Sequence, residues 1–318
     1  MALVLDAVCG ARARRRSRST ARCVARRAAR AALVFLAATS WVPSVFAQAA
    51  PNEQRSAAYY RTNIAAAGAL ILGYATLEEL APVRNCQCDF AWFPGDEGRR
   101  GRSSLQANQI SNGLVLVSLA EPELLVLSHE QGWRLLNGSL VYGETMGLNL
   151  TLNALAKLLF PRPRPFTYAR NRSYDDVSDY NASFYSSHSS NSFAAAVSGS
   201  FLYAESAQHS WAKYAAWGSA FALASATANL RVRAGKHYYS DVLVGAVIGS
   251  TIGAVVPLLH GARYRPEPGE YLAAGSGLAL GLLVSQLLPL SERTDQVSWS
   301  VEPYVAAGAV GLQGAGKF

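Results

Sequence analysis

The feature that most restricts what this chain can fold into is a succession of long apolar segments divided by short polar or proline-containing breaks. They lie near residues 110–128, 134–160, 190–206, 211–229, 241–260 and 271–290. Each outruns an ordinary β-strand, and each has helical or continuous apolar character rather than strict alternation. A leading helix is expected over 58–80, ending ahead of Pro82, where the ring cannot continue it. Residues 83–106 are polar, with Gly-Asp-Glu-Gly-Arg-Arg near their centre, and read as a loop. The pattern predicts an all-α helical bundle.

Whether that bundle lies in a membrane turns on the same segments. Residues 242–259 and 271–290 carry no charge, and roughly 18–20 apolar residues suffice for a span. The segment at 110–128 is weaker because it holds Glu121, Pro122 and Glu123, and that at 211–229 contains Lys213. Gly245, Gly249 and Gly253 recur every four residues, which lets two helices approach closely in lipid or in a soluble bundle. Half the chain is hydrophobic, yet the mean hydropathy is only +0.09. The apolar segments favour a multi-pass membrane protein. Residues 296–318 differ: an alternating stretch leads to glycine-rich residues, read as a short β-like tail of one or two strands.

The formal charge of +8 resembles that of a nucleic-acid binder, but its distribution removes that reading. Residues 1–30 hold nine arginines and one acid, Asp6, so residues 31–318 have no net formal charge. No nucleic-acid partner is expected. The arginines precede an apolar run from Ala31 to about Phe46 and a small-residue exit, Ala47-Gln-Ala49. This is the organisation of a secretory signal peptide over 1–49. An uncleaved anchor is the alternative. The mature chain is expected outside the cytoplasm, at an inner membrane with a periplasm-facing site or soluble in the periplasm. Beyond the leader only Cys86 and Cys88 remain. A disulfide closing so small a ring is strained, and no further ligands are spaced for a metal. The chain thus divides into the leader, a leading helix and polar loop at 50–110, a helical core at 111–292 and the tail at 293–318.

Three clusters carry chemistry. In the first, a helix runs into Lys157 and is stopped by the prolines of Pro161-Arg-Pro-Arg164-Pro165, which leaves a lysine and a rigidly held arginine at one helix end. In the second, Ser186-Ser187-His188 precedes an alanine-rich run; small hydroxyl residues there mark a helix N-terminus, where backbone N–H groups suit an anion. In the third, Arg231 precedes His237 and Asp241, which are four apart. A helix continued back through His237 would put both on one face, with the carboxylate holding Nδ1–H and leaving Nε2 bare as a nucleophile. Each cluster alone has a plain structural reading as a solvated helix end or a helix cap. Together they supply three cations and two imidazoles for one phosphoryl group. Arg162, Arg233 and Lys236 read as solvated surface charge, and Tyr238 and Tyr239 as packing residues.

The clusters resemble the signature of the type 2 phosphatidic acid phosphatase and vanadium haloperoxidase superfamily. Lys157 is followed by six residues and then Arg164-Pro165; Arg231 is followed by five residues and His237, then by three and Asp241. Three positions depart from the family pattern: Tyr185 stands for proline, Ser187 for glycine, and Leu230 for the serine ahead of the arginine. The resemblance implies a helical bundle of the acid phosphatase/haloperoxidase type. It implies His237 as a nucleophile forming phosphohistidine, oriented by Asp241, and His188 as the acid. It implies Lys157, Arg164, Arg231 and the Ser186–Ser187 backbone as the phosphate cradle, with no metal or other cofactor. The expected substrate is a lipid or isoprenoid phosphate at a membrane. The alternatives are a soluble periplasmic acid phosphatase acting on small phosphoesters and a haloperoxidase holding vanadate on His237.

Overall fold

The computed structural model describes residues 56–80, 93–169, 180–294, 298–306 and 309–317; the leader, Cys86 and Cys88 lie outside them. Among these residues are seven α-helices: α1 (Ala57–Leu80), α2 (Leu105–His129), α3 (Gly132–Leu159), α4 (Ser187–Ser206), α5 (Ser210–Arg233), α6 (Tyr239–Leu259) and α7 (Pro268–Leu287). Every apolar segment of the sequence is a helix, and the leading helix spans nearly its expected range.

The chief difference is at the start of α2, which begins at Leu105, ahead of the apolar run. Ser104 caps it, its Oγ accepting the Ala107 N–H at 3.3 Å. The first turns hold Asn108, Ser111 and Asn112. Their polarity hides the helix in a hydropathy reading, and its reason appears at the site.

Helix α4 is the centre of the bundle, packed by α2, α3, α5 and α6. It can take four neighbours because its buried residues are largely serine, alanine and glycine. A Cβ on Gly249 of α6 would lie 2.1 Å from the Ser190 carbonyl oxygen of α4, so the glycine seam on α6 is the contact that lets these helices close. On the other flank α7 packs along α5, where a Cβ on Gly277 would meet the Gly218 carbonyl at 2.0 Å. The apolar core between them is built from Phe193 and Ala196 of α4, Ala220, Ala224 and Val232 of α5, and Val242 of α6. Helix α1 packs on α3.

Two small sheets complete the described residues. β1 (Arg102–Ser103) pairs antiparallel with β2 (Arg293–Thr294), and β3 (Ser298–Ala306) pairs with β4 (Ala309–Lys317) as a hairpin of nine-residue strands. The tail is thus strand-forming as expected, and longer-stranded.

Among the described residues two helices could cross a membrane by length and composition, α2 over Leu105–Ser128 and α6. The uncharged segment within α7, put forward from the sequence, is not one of them, whereas α2, ranked weaker, is. The acids that weakened α2 each find one partner within the bundle: Glu121 Oε1 accepts from the Ser219 hydroxyl at 2.6 Å and Glu123 Oε2 from that of Ser139 at 3.0 Å.

Candidate active site

One end of the bundle gathers the N-termini of α2, α4 and α6 with the C-termini of α3 and α5. The three N-termini present positive dipole ends, and the two C-termini deliver Lys157 and Arg231. Backbone bonds stitch the connecting segments together. The Ser183 N–H donates to the Arg162 carbonyl, Arg164 N–H to Tyr180, Phe166 N–H to Gly235 and Ser186 N–H to Asp241, all within 2.8–3.1 Å. The proline-rich turn is therefore a fixed strap across the base of the site. Gly235 closes the strap on the other side: its φ is +70°, and a Cβ there would lie 2.0 Å from the Arg102 carbonyl oxygen, so only glycine fits.

His237 is fully buried, directly after this turn. Its Nδ1 lies 2.7 Å from the Ser183 carbonyl oxygen. A carbonyl only accepts, so Nδ1 carries the proton and Nε2 carries the lone pair. Nε2 in turn lies 3.1 Å from Nη1 of Arg164, a group that only donates. Burial first, then the positive charges of Arg164, Arg231 and Lys157 and the neighbouring His188, hold the imidazole pKa well below its ordinary 6.5. His237 is a neutral imidazole with Nε2 aimed at the cations, the state a nucleophile needs.

The expected partner of Nδ1 was Asp241, and here the structure differs. Helix α6 starts at Tyr239 and does not run back through His237. The reason is Asp241 itself: its Oδ2 accepts the Tyr238 N–H at 2.9 Å, which caps the helix and ends it. The carboxylate lies 3.9 Å from Nδ1, beyond hydrogen-bond reach. It accepts instead from the Ser183 hydroxyl at 2.5 Å. Ser183 stands between the two, with its hydroxyl on the carboxylate and its carbonyl on the imidazole.

Arg162 overturns the surface reading most completely. It is 2 % exposed and bridges two buried carboxylates, Asp241 at 2.5 Å and Asp96 at 2.9 Å. Its Nη1 also donates to Ser240 Oγ at 2.8 Å, and its guanidinium stacks 4.0 Å over the Tyr238 ring. Asp96 further accepts from the backbone and hydroxyl of Ser240, so a residue from the polar loop anchors the start of α6. Arg233 and Lys236 are buried as well. Arg233 pairs with Glu292 at 3.0 Å and donates to the Ser285 carbonyl at the end of α7; Lys236 lies over the Phe166 ring at 4.8 Å. The solvent reading fails for both: the end of α7 covers Arg233, and the strap covers Lys236 through Phe166. Tyr238 is buried and Tyr239 half-exposed.

The other half of the site sits on α4. Ser186 caps it, its Oγ accepting the Ser189 N–H at 3.3 Å, and Ser187 and His188 form the first turn. Lys157 Nζ donates to Ser187 Oγ at 3.3 Å, so the serine that replaces glycine in the signature gives the lysine a partner. Tyr185 is buried, and its carbonyl accepts from Asn153 at 2.9 Å. Leu230, in place of serine, packs with Ala107 and Ala234. Opposite, Arg231 Nη1 donates to Asn108 Oδ1 at 2.7 Å, Ser111 Oγ at 3.3 Å and Asn112 Oδ1 at 3.2 Å. His188 Nε2 lies 2.9 Å from the same Asn112 oxygen.

The structure therefore brings Lys157, Arg164, Ser186, Ser187, His188, Arg231, His237 and Asp241 to one end of one bundle. It adds Asp96, Asn108, Ser111, Asn112, Arg162 and Ser183. The three asparagine and serine residues of α2 have one sequence signal, a polar face one turn wide at the start of an apolar helix. Among the described residues no group of three or more His, Cys, Asp or Glu is placed to hold a metal ion. A cavity of about 220 Å³, lined by Tyr59, Arg134, Glu205, His260 and others, opens where α4 and α6 end. It contains none of these site residues.

Residues 138–265 match the family model described as the PAP2 superfamily. That segment contains all three clusters and leaves out α1, α2 and α7. No curated protein and no solved structure matches the chain.

Proposed function

We propose, from the match of residues 138–265 to the PAP2 superfamily model and the phosphatase-type activity it supports in general, a metal-independent phosphatase that hydrolyses phosphate monoesters through a phosphohistidine at His237. The observation that carries the reading is the state of His237: Nδ1–H committed to a carbonyl, Nε2 bare, and a guanidinium 3.1 Å beyond it.

The steps follow from that geometry. The phosphoryl group of the substrate takes the place among Arg164, Arg231, Lys157 and the head of α4, whose charges offset its own. His237 Nε2 attacks phosphorus, the N–P bond forms and the P–O bond to the leaving group breaks. His188 gives its proton to the departing alkoxide, which leaves as an alcohol. Water then enters, His188 takes one of its protons, and the hydroxide attacks phosphorus. The N–P bond breaks, inorganic phosphate leaves and His237 is neutral again. Asp241 acts through Ser183 and through its charge, which favours the cationic ring formed when Nε2 is phosphorylated. The cations do the work a metal ion would do elsewhere.

The substrate class we favour is a lipid or isoprenoid phosphate. The support is the apolar outer surface of the helices: Leu116 and Leu124 on α2, Val247 on α6 and Leu272 and Leu287 on α7 are all more than half exposed. A bundle lying in a membrane, with its site at the outer face, would give those side chains lipid to face and the site a substrate held at the interface.

The test is phosphate release from lipid, isoprenoid and small soluble monophosphates with EDTA present. Activity that persists in EDTA and is abolished by His237→Ala supports the reading. Activity lost with EDTA, or retained by His237→Ala, overturns it.

A further inference from the structure

Helix α2 lies outside the matched segment, yet it reaches the site through Asn112. Its side-chain oxygen is the point where two functional groups meet, Arg231 Nη1 at 3.2 Å and His188 Nε2 at 2.9 Å. A guanidinium donates only, so the Asn112 atom facing it is the oxygen. The imidazole nitrogen facing that same oxygen must then carry a hydrogen. His188 Nε2 is thereby committed whatever the charge on the ring. Nδ1 is the one ring nitrogen that can give up or take a proton without breaking the bond to Asn112.

We propose that Asn112 is a positioning residue for proton transfer: it fixes the tautomer and the ring orientation of His188, so that Nδ1 delivers the proton to the leaving oxygen and later receives one from water. The proposal rests on the reading of His188 as the acid. Asn108 and Ser111 serve as internal contrast. They touch Arg231 and have no bond to His188 among the described contacts. Arg231 keeps both of them when Asn112 is replaced, so the anion site persists while the imidazole loses its bond to the Asn112 oxygen.

General-acid assistance matters in proportion to how poorly the leaving group departs. A p-nitrophenolate leaves without a proton, whereas an alkoxide does not. In the full-length protein, Asn112→Ala and the near-isosteric Asn112→Leu are expected to lower kcat/KM, which reads the phosphorylation step alone, about tenfold for an alkyl phosphate and less than about twofold for p-nitrophenyl phosphate, whose slow shared step is the later hydrolysis. Asn112→Asp restores an acceptor and is expected to recover the wild-type ratio between the two substrates. Asn108→Ala is expected to raise KM for both substrates alike, with the ratio of their kcat/KM values unchanged. His188→Ala calibrates the experiment with the same selectivity on a larger scale. If His188→Ala is selective and the Asn112 variants slow both substrates equally, the inference fails while the phosphatase reading stands. If His188→Ala is itself unselective, the acid assignment fails and the inference fails with it.

Discussion

At the level of single residues the site is governed by which nitrogen holds which proton. His237 is kept neutral by burial and by surrounding positive charge. Its pKa in the folded state lies below that of the unfolded chain, so the folded protein binds fewer protons. Its contribution to stability is complete above pH 6.5 and declines as pH falls below that value. An NMR titration of the His237 ring is expected to show no protonation as pH is lowered through 6.5; a midpoint at or above 6.5 would contradict the electrostatics. Arg164 donates to the Lys236 carbonyl at 2.9 Å, and in the proposed mechanism its planar fork holds a phosphoryl oxygen beside Nε2. Arg164→Lys keeps the charge and loses the fork, and kcat/KM is expected to fall about 10²-fold. The residues legible in the sequence were those whose type announces their chemistry: two histidines, three cations and one acid at set spacings. Those that were not legible act through backbone or neutral groups. The Ser183 carbonyl carries no residue-type signal at all, and Asn112 is one asparagine in a polar helical turn. Arg162 was misread because a charge flanked by prolines looks like an exposed turn, whereas its two carboxylate partners come from positions 66 and 79 residues away.

Between elements, the site depends on two kinds of contact. The first is close backbone approach along the glycine seam of α6. Gly245, Gly249 and Gly253 place α6 against the carbonyls of Ser186, Ser190 and Ala194, which fixes the start of α6 relative to the start of α4. Gly249→Ala inserts a methyl where none fits. It is expected to cost about 1–3 kcal/mol in chemical denaturation and to lower activity by displacing Asp241 from the head of α4. An unchanged midpoint would show the seam to be looser than the geometry implies. That seam was readable from spacing alone, because small residues at every fourth position have few other uses in a helix. The second contact is the buried Asp96–Arg162–Asp241 bridge, which was not readable. Asp96 lies in a polar stretch whose composition says only loop. Asp96→Ala leaves Arg162 buried beside one carboxylate where there were two, and is expected to destabilise the fold by about 3–5 kcal/mol. The loss should appear in thermal unfolding; a change under 1 kcal/mol would mean that water replaces the lost partner.

At the scale of the whole molecule, five of the seven helices among the described residues bring three positive N-terminal ends and two basic C-terminal ends to one face. The helical class and the order of elements followed from the apolar segments, since each is too long for a strand. Their membrane character was harder to read, because a glycine-rich helix such as α7 and an acid-bearing one such as α2 differ little by inspection. The exposed apolar side chains of α2, α6 and α7 predict that the protein stays with the membrane fraction after high-salt washing and needs detergent for release. Recovery by osmotic shock alone would contradict that and move the reading to a soluble phosphatase with the same site. All of this rests on three distant stretches forming one phosphoryl-transfer centre with His237 as its nucleophile. The most direct test is mass spectrometry of His188→Ala quenched in alkali during turnover of p-nitrophenyl phosphate, a substrate that forms the phosphoenzyme readily and leaves its hydrolysis without a base. The account predicts a phosphoryl group on His237; a phosphoryl group on another residue, or hydrolysis that continues in His237→Ala, would contradict it.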